Sequence, residues 1–346
     1  MTSILLPRPD DWHLHLRDDE MLSAVAGYSA KRFRHALVMP NLRPPITSSA
    51  DAAAYRARIL DQVDEGSSFV PLMTLFASSE LDLEDLRSGS ESGVVKAVKF
   101  YPPGATTNSD QAKGSLGSLH ELMEVLVELD MRLLVHAEST DPDVDVFDRE
   151  AKFLDRQLAP VCERYPELKV TVEHVSTAAG VDFVNAHPQV VASVTPHHLA
   201  RERGDLLASG MKPDLFCKPV INSASDRAAL VAAATGGDSG FFLGTDSAPH
   251  TSTAKYAPTV AAGIFNAAYG LEVVAEVFHR AGAIDNLGAF VSVNGAAVYG
   301  YEPSDEQIRL TRVESRDVGE SKLVTAIGDV VMFGVEEAAH WIVEPV

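Results

Sequence analysis

An α/β fold, a (β/α)8 barrel carrying a small C-terminal addition, is predicted by three observations. Short apolar or β-branched runs alternate eight times with longer segments of helical spacing. No Pro-, Ser- or Gly-rich linker splits the chain. Neither GxGxxG nor GxxxxGK[ST] occurs, although an open doubly wound sheet normally carries such a phosphate turn after an early strand. Parallel strands joined by right-handed helical crossovers then close most simply into a TIM barrel.

The eight strands fall near Asp11–Leu16, Arg34–Met39, Val70–Leu75, Val94–Phe100, Arg132–His136, Lys169–His174, Val190–Thr195 and Phe241–Thr245. Helices follow near Met21–Ala30, Ala50–Val63, Glu80–Ser92, Leu116–Leu129, Phe147–Tyr165, Ala178–Ala186, Ser225–Ala234 and Ala267–Ala281. Thr47, Ser48 and Ser49 read as start signals for the second helix, and Ser78-Ser79-Glu80 for the third. The barrel should occupy about residues 10–300. From Tyr301 the strand-like pieces Gln307–Val313 and Asp329–Phe333 are too short for a core of their own, so residues 1–346 read as one domain with an extension over 301–346.

Composition narrows the function. The 346 residues include 49 Asp or Glu against 29 Lys or Arg, a net charge of −20, which repels polyanions and argues against nucleic acid as a partner. With 46% hydrophobic and 23% charged residues and no apolar run near the ~18 residues of a membrane span, the chain reads as soluble and globular, with no membrane partner. The first residues lack the basic and apolar stretches of an export signal, so a cytoplasmic location is expected. Cys162 and Cys217, both among apolar neighbours, read as buried free thiols.

Several ligand-type residues stand where apolar strands stop. In His13-Leu14-His15 the two-residue strand period puts both imidazoles on one face, a pairing that suits Zn²⁺ or Mn²⁺ and equally a hydrogen-bonded surface pair. His136 ends Arg-Leu-Leu-Val-His, His174 ends Val-Thr-Val-Glu-His, and Asp246 follows Phe-Phe-Leu-Gly-Thr. Each alone fits a hydrogen-bonded strand terminus, but together they would meet at the catalytic rim of a barrel. Lys99 would point into the same rim. Its spacing fits either a salt-bridged lysine or an amine that adds carbon dioxide to become a metal-bridging carbamate; Lys96 on the same strand reads as salt-bridged.

These residues resemble the binuclear metal site of the amidohydrolase superfamily, and more closely that of the short, single-domain (class II) dihydroorotases. The resemblance spans nearly the whole barrel: residues 9–18 (PDDWHLHLRD), 38–42 (VMPNL), 99–102 (KFYP), 105–109 (ATTNS) and 243–250 (LGTDSAPH). It implies a carboxylated Lys99 and two zinc ions per subunit, with His13, His15 and Asp246 on one and His136 and His174 on the other. The implied reaction is the reversible interconversion of N-carbamoyl-L-aspartate and dihydroorotate in pyrimidine biosynthesis. Asp246, as ligand and base, would move the proton between a bridging hydroxide and the ring nitrogen. A homodimer is also implied.

Arg17 offers a planar fork for carboxylate on the face of the two histidines, or an ion pair with Asp18 or Asp19. The resemblance adds Asn41 and His250 as carboxylate contacts, main-chain groups of Lys218 and Ala262 at the ring edge, and His15 and His136 beside the substrate. Pro102–Ser115 reads as a mobile surface loop or as a lid in which Thr106 and Thr107 donate to substrate. Hydantoinases, dihydropyrimidinases and allantoinases are the rival reading; they share the metals but need no carboxylate contacts from Arg17, Asn41 and His250. A non-catalytic barrel would be expected to have lost a ligand. Longer superfamily members carry a β-sandwich, for which too little chain precedes His13. Asp141–Asp145 lacks the glycine and final glutamate of a calcium loop. Of His197-His198, read as the end of the seventh strand, at most one should point inward.

Overall fold

The computed structural model describes residues 2–346. Strand β1 (Ser3–Pro7) precedes eight parallel barrel strands in sequential order: β2 (Asp11–Leu14), β3 (His35–Val38), β4 (Val70–Phe76), β5 (Val95–Phe100), β6 (Arg132–Val135), β7 (Val170–Val172), β8 (Val190–Val194) and β9 (Phe241–Leu243). The ring closes between β2 and the end of β9, where the Asp246 N–H donates to the His13 carbonyl (2.7 Å) and the His15 N–H to that of Ser247 (2.9 Å). All eight anticipated strands are present. Those before His136, His174 and Asp246 stop short of the expected ends, and φ of +42° at His174 and +45° at Asp246 takes both residues out of extended geometry.

Alternation decides what faces the site. Leu37, Ala97, Leu134 and Phe242 fill the barrel interior, whereas Val38, Val98, Phe100, Leu133 and Val135 pack outward beneath the helices. Lys99 follows Ala97 by two residues and His136 follows Leu134 by two, so both share the interior face. A register shift between Asp11 and Leu14 interrupts the pairing of β2 with β3. Trp12 therefore closes the barrel floor, stacked on Tyr299 with ring centroids 4.5 Å apart.

Local signals explain most helix starts, with exceptions. Ser48 accepts the Asp51 N–H and caps Ser49–Leu60. The third helix begins at Leu83 on an Asp82 cap, not at Glu80; Ser78 instead closes a turn with the Glu80 N–H. The anticipated helix Phe147–Tyr165 is three pieces, Arg149–Phe153, a π-turn Leu154–Leu158, and Ala159–Arg164. Pro160 has no N–H to return to the preceding turn, and the wider turn accommodates it. His197 and His198 lie on a short helix, Pro196–Ala200, that Thr195 caps, so strand parity does not govern them and both are buried.

The addition draws on both ends of the chain. β1 and the terminal strand flank β10 (Gln307–Arg312) in an antiparallel sheet, a pairing not foreseen from the Ile-Leu-Leu run after Ser3. Of the expected strand Asp329–Phe333 only β12 (Val330–Val331) forms, paired with β11 (Lys322–Leu323), and β13 (Trp341–Pro345) completes the antiparallel sheet.

Candidate metal centre

The strand ends bring His13, His15, Lys99, His136, His174 and Asp246 together, all buried, and His15, His136, His174 and Asp246 line a small pocket with Arg17, Asn41, Thr106, Thr107, Lys218 and Ala262. Three of the four histidines are turned by an outer partner. Glu173 Oε2 lies 2.7 Å from His13 Nδ1, Asn41 Oδ1 2.8 Å from His15 Nδ1, and Glu138 Oε2 3.1 Å from His136 Nε2. Their other ring nitrogens face inward: His15 Nε2 is 3.0 Å from Asp246 Oδ1, His13 Nε2 3.4 Å from the same oxygen, and His136 Nδ1 3.0 Å from His174 Nε2. A zinc ion with ligands at 2.0–2.1 Å separates them by roughly 3.3 Å in a tetrahedron, so these spacings fit a metal. His13 Nε2, His174 Nδ1 and Lys99 Nζ are buried without a hydrogen-bond partner, which is costly unless something else satisfies them.

Protonation favours ligation at three of the four rings; at His13 burial lowers the imidazole, but the Glu173 carboxylate, with Asp246, outweighs it and leaves the ring raised. Burial pushes His15 down to about 4, lowers His136, and with the neighbouring His136 takes His174 well below the usual imidazole range, leaving these rings neutral. Burial likewise lowers Lys99, to about 8. Burial alone would raise Asp246, but the adjacent His13 and His15 imidazoles hold it well below the carboxylate range. Arg17, His174 and Asp246 all adopt positive φ, so the fold holds strained backbone where the site converges.

Arg17 does not pair with Asp18, which binds Arg58; its Nε donates to the Pro249 carbonyl (3.3 Å) and its NH2 lies 3.0 Å from His250 Nε2. Asn41 Nδ2 donates to the Thr107 carbonyl (3.0 Å), and Thr107 and His250 both contact the Ala262 carbonyl. Lys96 is no salt bridge: its ammonium sits 5.5 Å from the Tyr301 ring centroid. Sequence reasoning missed the carboxylates behind the ligands, Glu138, Glu173 and Asp11. Glu173 also accepts from Ser193 Oγ, and Asp11 accepts the backbone and hydroxyl of Thr245, next to Asp246. A charged residue closing the apolar run Val-Thr-Val was the one local signal for Glu173. Lys218 donates to Glu138 Oε1 at 2.7 Å. A second group, His197, His198 and Cys217, also has close donor atoms, but both ring nitrogens of His198 are engaged, by Thr195 and the Pro219 carbonyl.

A barrel with imidazoles, a lysine and an aspartate at its strand ends defines a class of metal-dependent hydrolases, and the comparisons agree: the model of the amidohydrolase family matches residues 5–304, and the chain belongs to that family. Full-length relatives narrow the group to dihydroorotases. The chain is 44% identical to the dihydroorotase of Agrobacterium fabrum over 342 residues, 99% of each chain. It superposes on the Campylobacter jejuni dihydroorotase crystal structure with a TM-score of 0.88 at 32% identity, covering 99% of this chain and 97% of that one. For the Saccharomyces cerevisiae dihydroorotase in complex with 5-fluoroorotic acid the values are 0.89 and 26%, covering 100% and 99%. An Arthrobacter aurescens L-hydantoinase shares the fold more distantly, at a TM-score of 0.77 and 17% identity, covering 91% and 78%.

Proposed function

We propose that this chain interconverts N-carbamoyl-L-aspartate and dihydroorotate in pyrimidine biosynthesis, using two zinc ions and a carboxylated Lys99. The observation that carries the reading is the close set of ring nitrogens around Asp246, with the buried Lys99 amine unpartnered, next to a guanidinium, Arg17, in contact with His250.

His13, His15 and Asp246 would hold one ion and His136 and His174 the other, with Lys99 shared. When bound, the ions polarise the scissile amide carbonyl and make hydroxide available near neutral pH. Lys99 suits carbamate formation because carbon dioxide adds to the neutral amine, the form that burial favours. Asp246 stands against both His13 and His15, where its carboxylate takes a proton during ring opening and returns it to the leaving nitrogen; ring closure runs the same path backward. Arg17 orients the substrate carboxylate, and His250, kept neutral down to about 2 by burial and the adjacent Arg17, adds a directed polar contact without a competing charge.

The segment Pro102–Ser115 supports a lid. Asn108 Nδ2 donates to the Asn41 carbonyl (2.8 Å) and Arg43 Nε to Asn108 Oδ1 (2.6 Å), which keeps Thr106 and Thr107 over the pocket where their hydroxyls reach substrate. The resemblance also carries the expectation of a cytoplasmic homodimer. No helix among the described residues is long and apolar enough to cross a membrane.

The test is substrate choice. Turnover of dihydroorotate with little on dihydrouracil supports the proposal. Turnover of dihydrouracil without dihydroorotate overturns it in favour of the dihydropyrimidinase reading.

A further inference from the structure

Two adjacent residues on the helix Arg149–Phe153 tie down both loops that carry the second ligand pair. Glu150, 3% exposed, accepts four hydrogen bonds: from Ser176 N (2.8 Å), Ser176 Oγ (2.8 Å), Thr177 N (3.0 Å) and Thr177 Oγ1 (2.5 Å). Ser176 follows His174 by two residues, and His174 sits at φ +42°, a conformation that persists only when its surroundings over-determine it. Arg149 reaches the other loop. Its carbonyl accepts the Ser139 N–H (3.1 Å), and its guanidinium lies 3.5 Å from Glu138 Oε1, on the carboxylate that orients His136.

The arrangement is one-sided. Among the described residues, no hydrogen bond or ion pair of Arg149 or Glu150 reaches the segments bearing His13, His15 or Asp246. It is also one that burial opposes. Glu150 has no cationic partner, so the four donors alone compensate its burial. Space is reserved for it as well: a Cβ on Gly180 would stand 2.5 Å from Glu150 Oε1.

We propose that Arg149 and Glu150 form a positioning pair that sets the affinity of one metal of the two, by fixing His136 and His174 at ligand spacing. The proposal rests on the binuclear reading above. Neither residue touches substrate or metal. They act by keeping two loops from separating, which the metal would otherwise have to do on binding.

The test is metal binding, not turnover. Wild type, Glu150→Gln, Arg149→Met and His174→Ala are stripped with chelator, checked for folding by circular dichroism, and titrated with Zn²⁺ or Co²⁺ by equilibrium dialysis. The His174→Ala chain defines what loss of the second metal looks like. Glu150→Gln presents an amide N–H₂ to groups that all donate, so the class of site lost in His174→Ala should loosen by roughly 10- to 100-fold, the usual effect of losing an outer partner. The other class should stay near its wild-type affinity, and Arg149→Met should loosen the affected class by less. Equal loosening of both classes, or of neither, overturns the proposal. If Glu150→Gln does not fold, Arg149→Met, at a partly exposed side chain, decides by the same two outcomes. A wild-type chain that binds only one metal refutes the binuclear reading and the positioning pair with it.

Discussion

Replacing Arg17 with Met should cost a substrate with a carboxylate about 3 kcal/mol more transition-state binding than a substrate without one. The guanidinium has five N–H donors. One goes to the Pro249 carbonyl and one faces His250, which leaves enough on its open edge for a two-bond fork. At about 1.5 kcal/mol for each charge-assisted bond, losing both gives the figure above, or roughly 150-fold in kcat/KM. The lost Pro249 contact disturbs every substrate alike. The informative quantity is therefore the ratio of kcat/KM for dihydroorotate to that for dihydrouracil, measured by following absorbance of the ring. A ratio that moves less than about threefold would refute the assignment of Arg17 as the carboxylate fork.

Other outcomes follow from the same contacts. Asp246→Asn should keep much of the metal while losing turnover, and near-normal kcat with metal retained would remove Asp246 as the base. Gly295→Ala would place a Cβ 2.1 Å from Trp12 Nε1, on a ring already stacked against Tyr299; destabilisation of roughly 3 kcal/mol is expected, read as a lower thermal midpoint with no change in metal content. Glu276 is pulled down to about 2, because bonds from Arg312, Trp341 and Arg280 outweigh its burial. A depressed folded pKa stabilises above the unfolded value near 4.5 and is lost as pH falls through about 2. Glu276→Gln should therefore unfold at lower urea than wild type at pH 7, by a gap that narrows between about pH 4.5 and pH 2; a constant gap would contradict the pairing. Because the chain carries −20 charges and the substrate is a dianion, raised ionic strength should lower KM modestly, and a steep rise in KM would argue for long-range attraction instead.

Strand ends were the legible part of this protein, because a strand's period and its stopping point are written in consecutive residues. Lys99, His136 and Asp246 could each be found from the apolar run in front of it, and His13 and His15 from their two-residue spacing. The partners behind them could not. Glu173 reaches His13 across 160 residues and Asp11 reaches Thr245 across 234, and nothing local marks either separation. The same limit hid β1, whose pairing with β10 joins opposite ends of the chain. Lys96 misled for another reason: an aromatic face can take an ammonium as readily as a carboxylate, and Tyr301 lies far away in sequence. His197 and His198 were read with strand parity although Thr195-Pro196, an N-cap hydroxyl followed by Pro at the first helical position, marks the start of a helix.

Metal content and ring closure measured on one purified sample, before chelation, after it and after zinc is restored, test the central claim most directly. The account predicts about two metals per chain, with dihydroorotate formation from N-carbamoyl-L-aspartate vanishing and returning in step with them. Ring closure that continues at full rate once both metals are gone would contradict it.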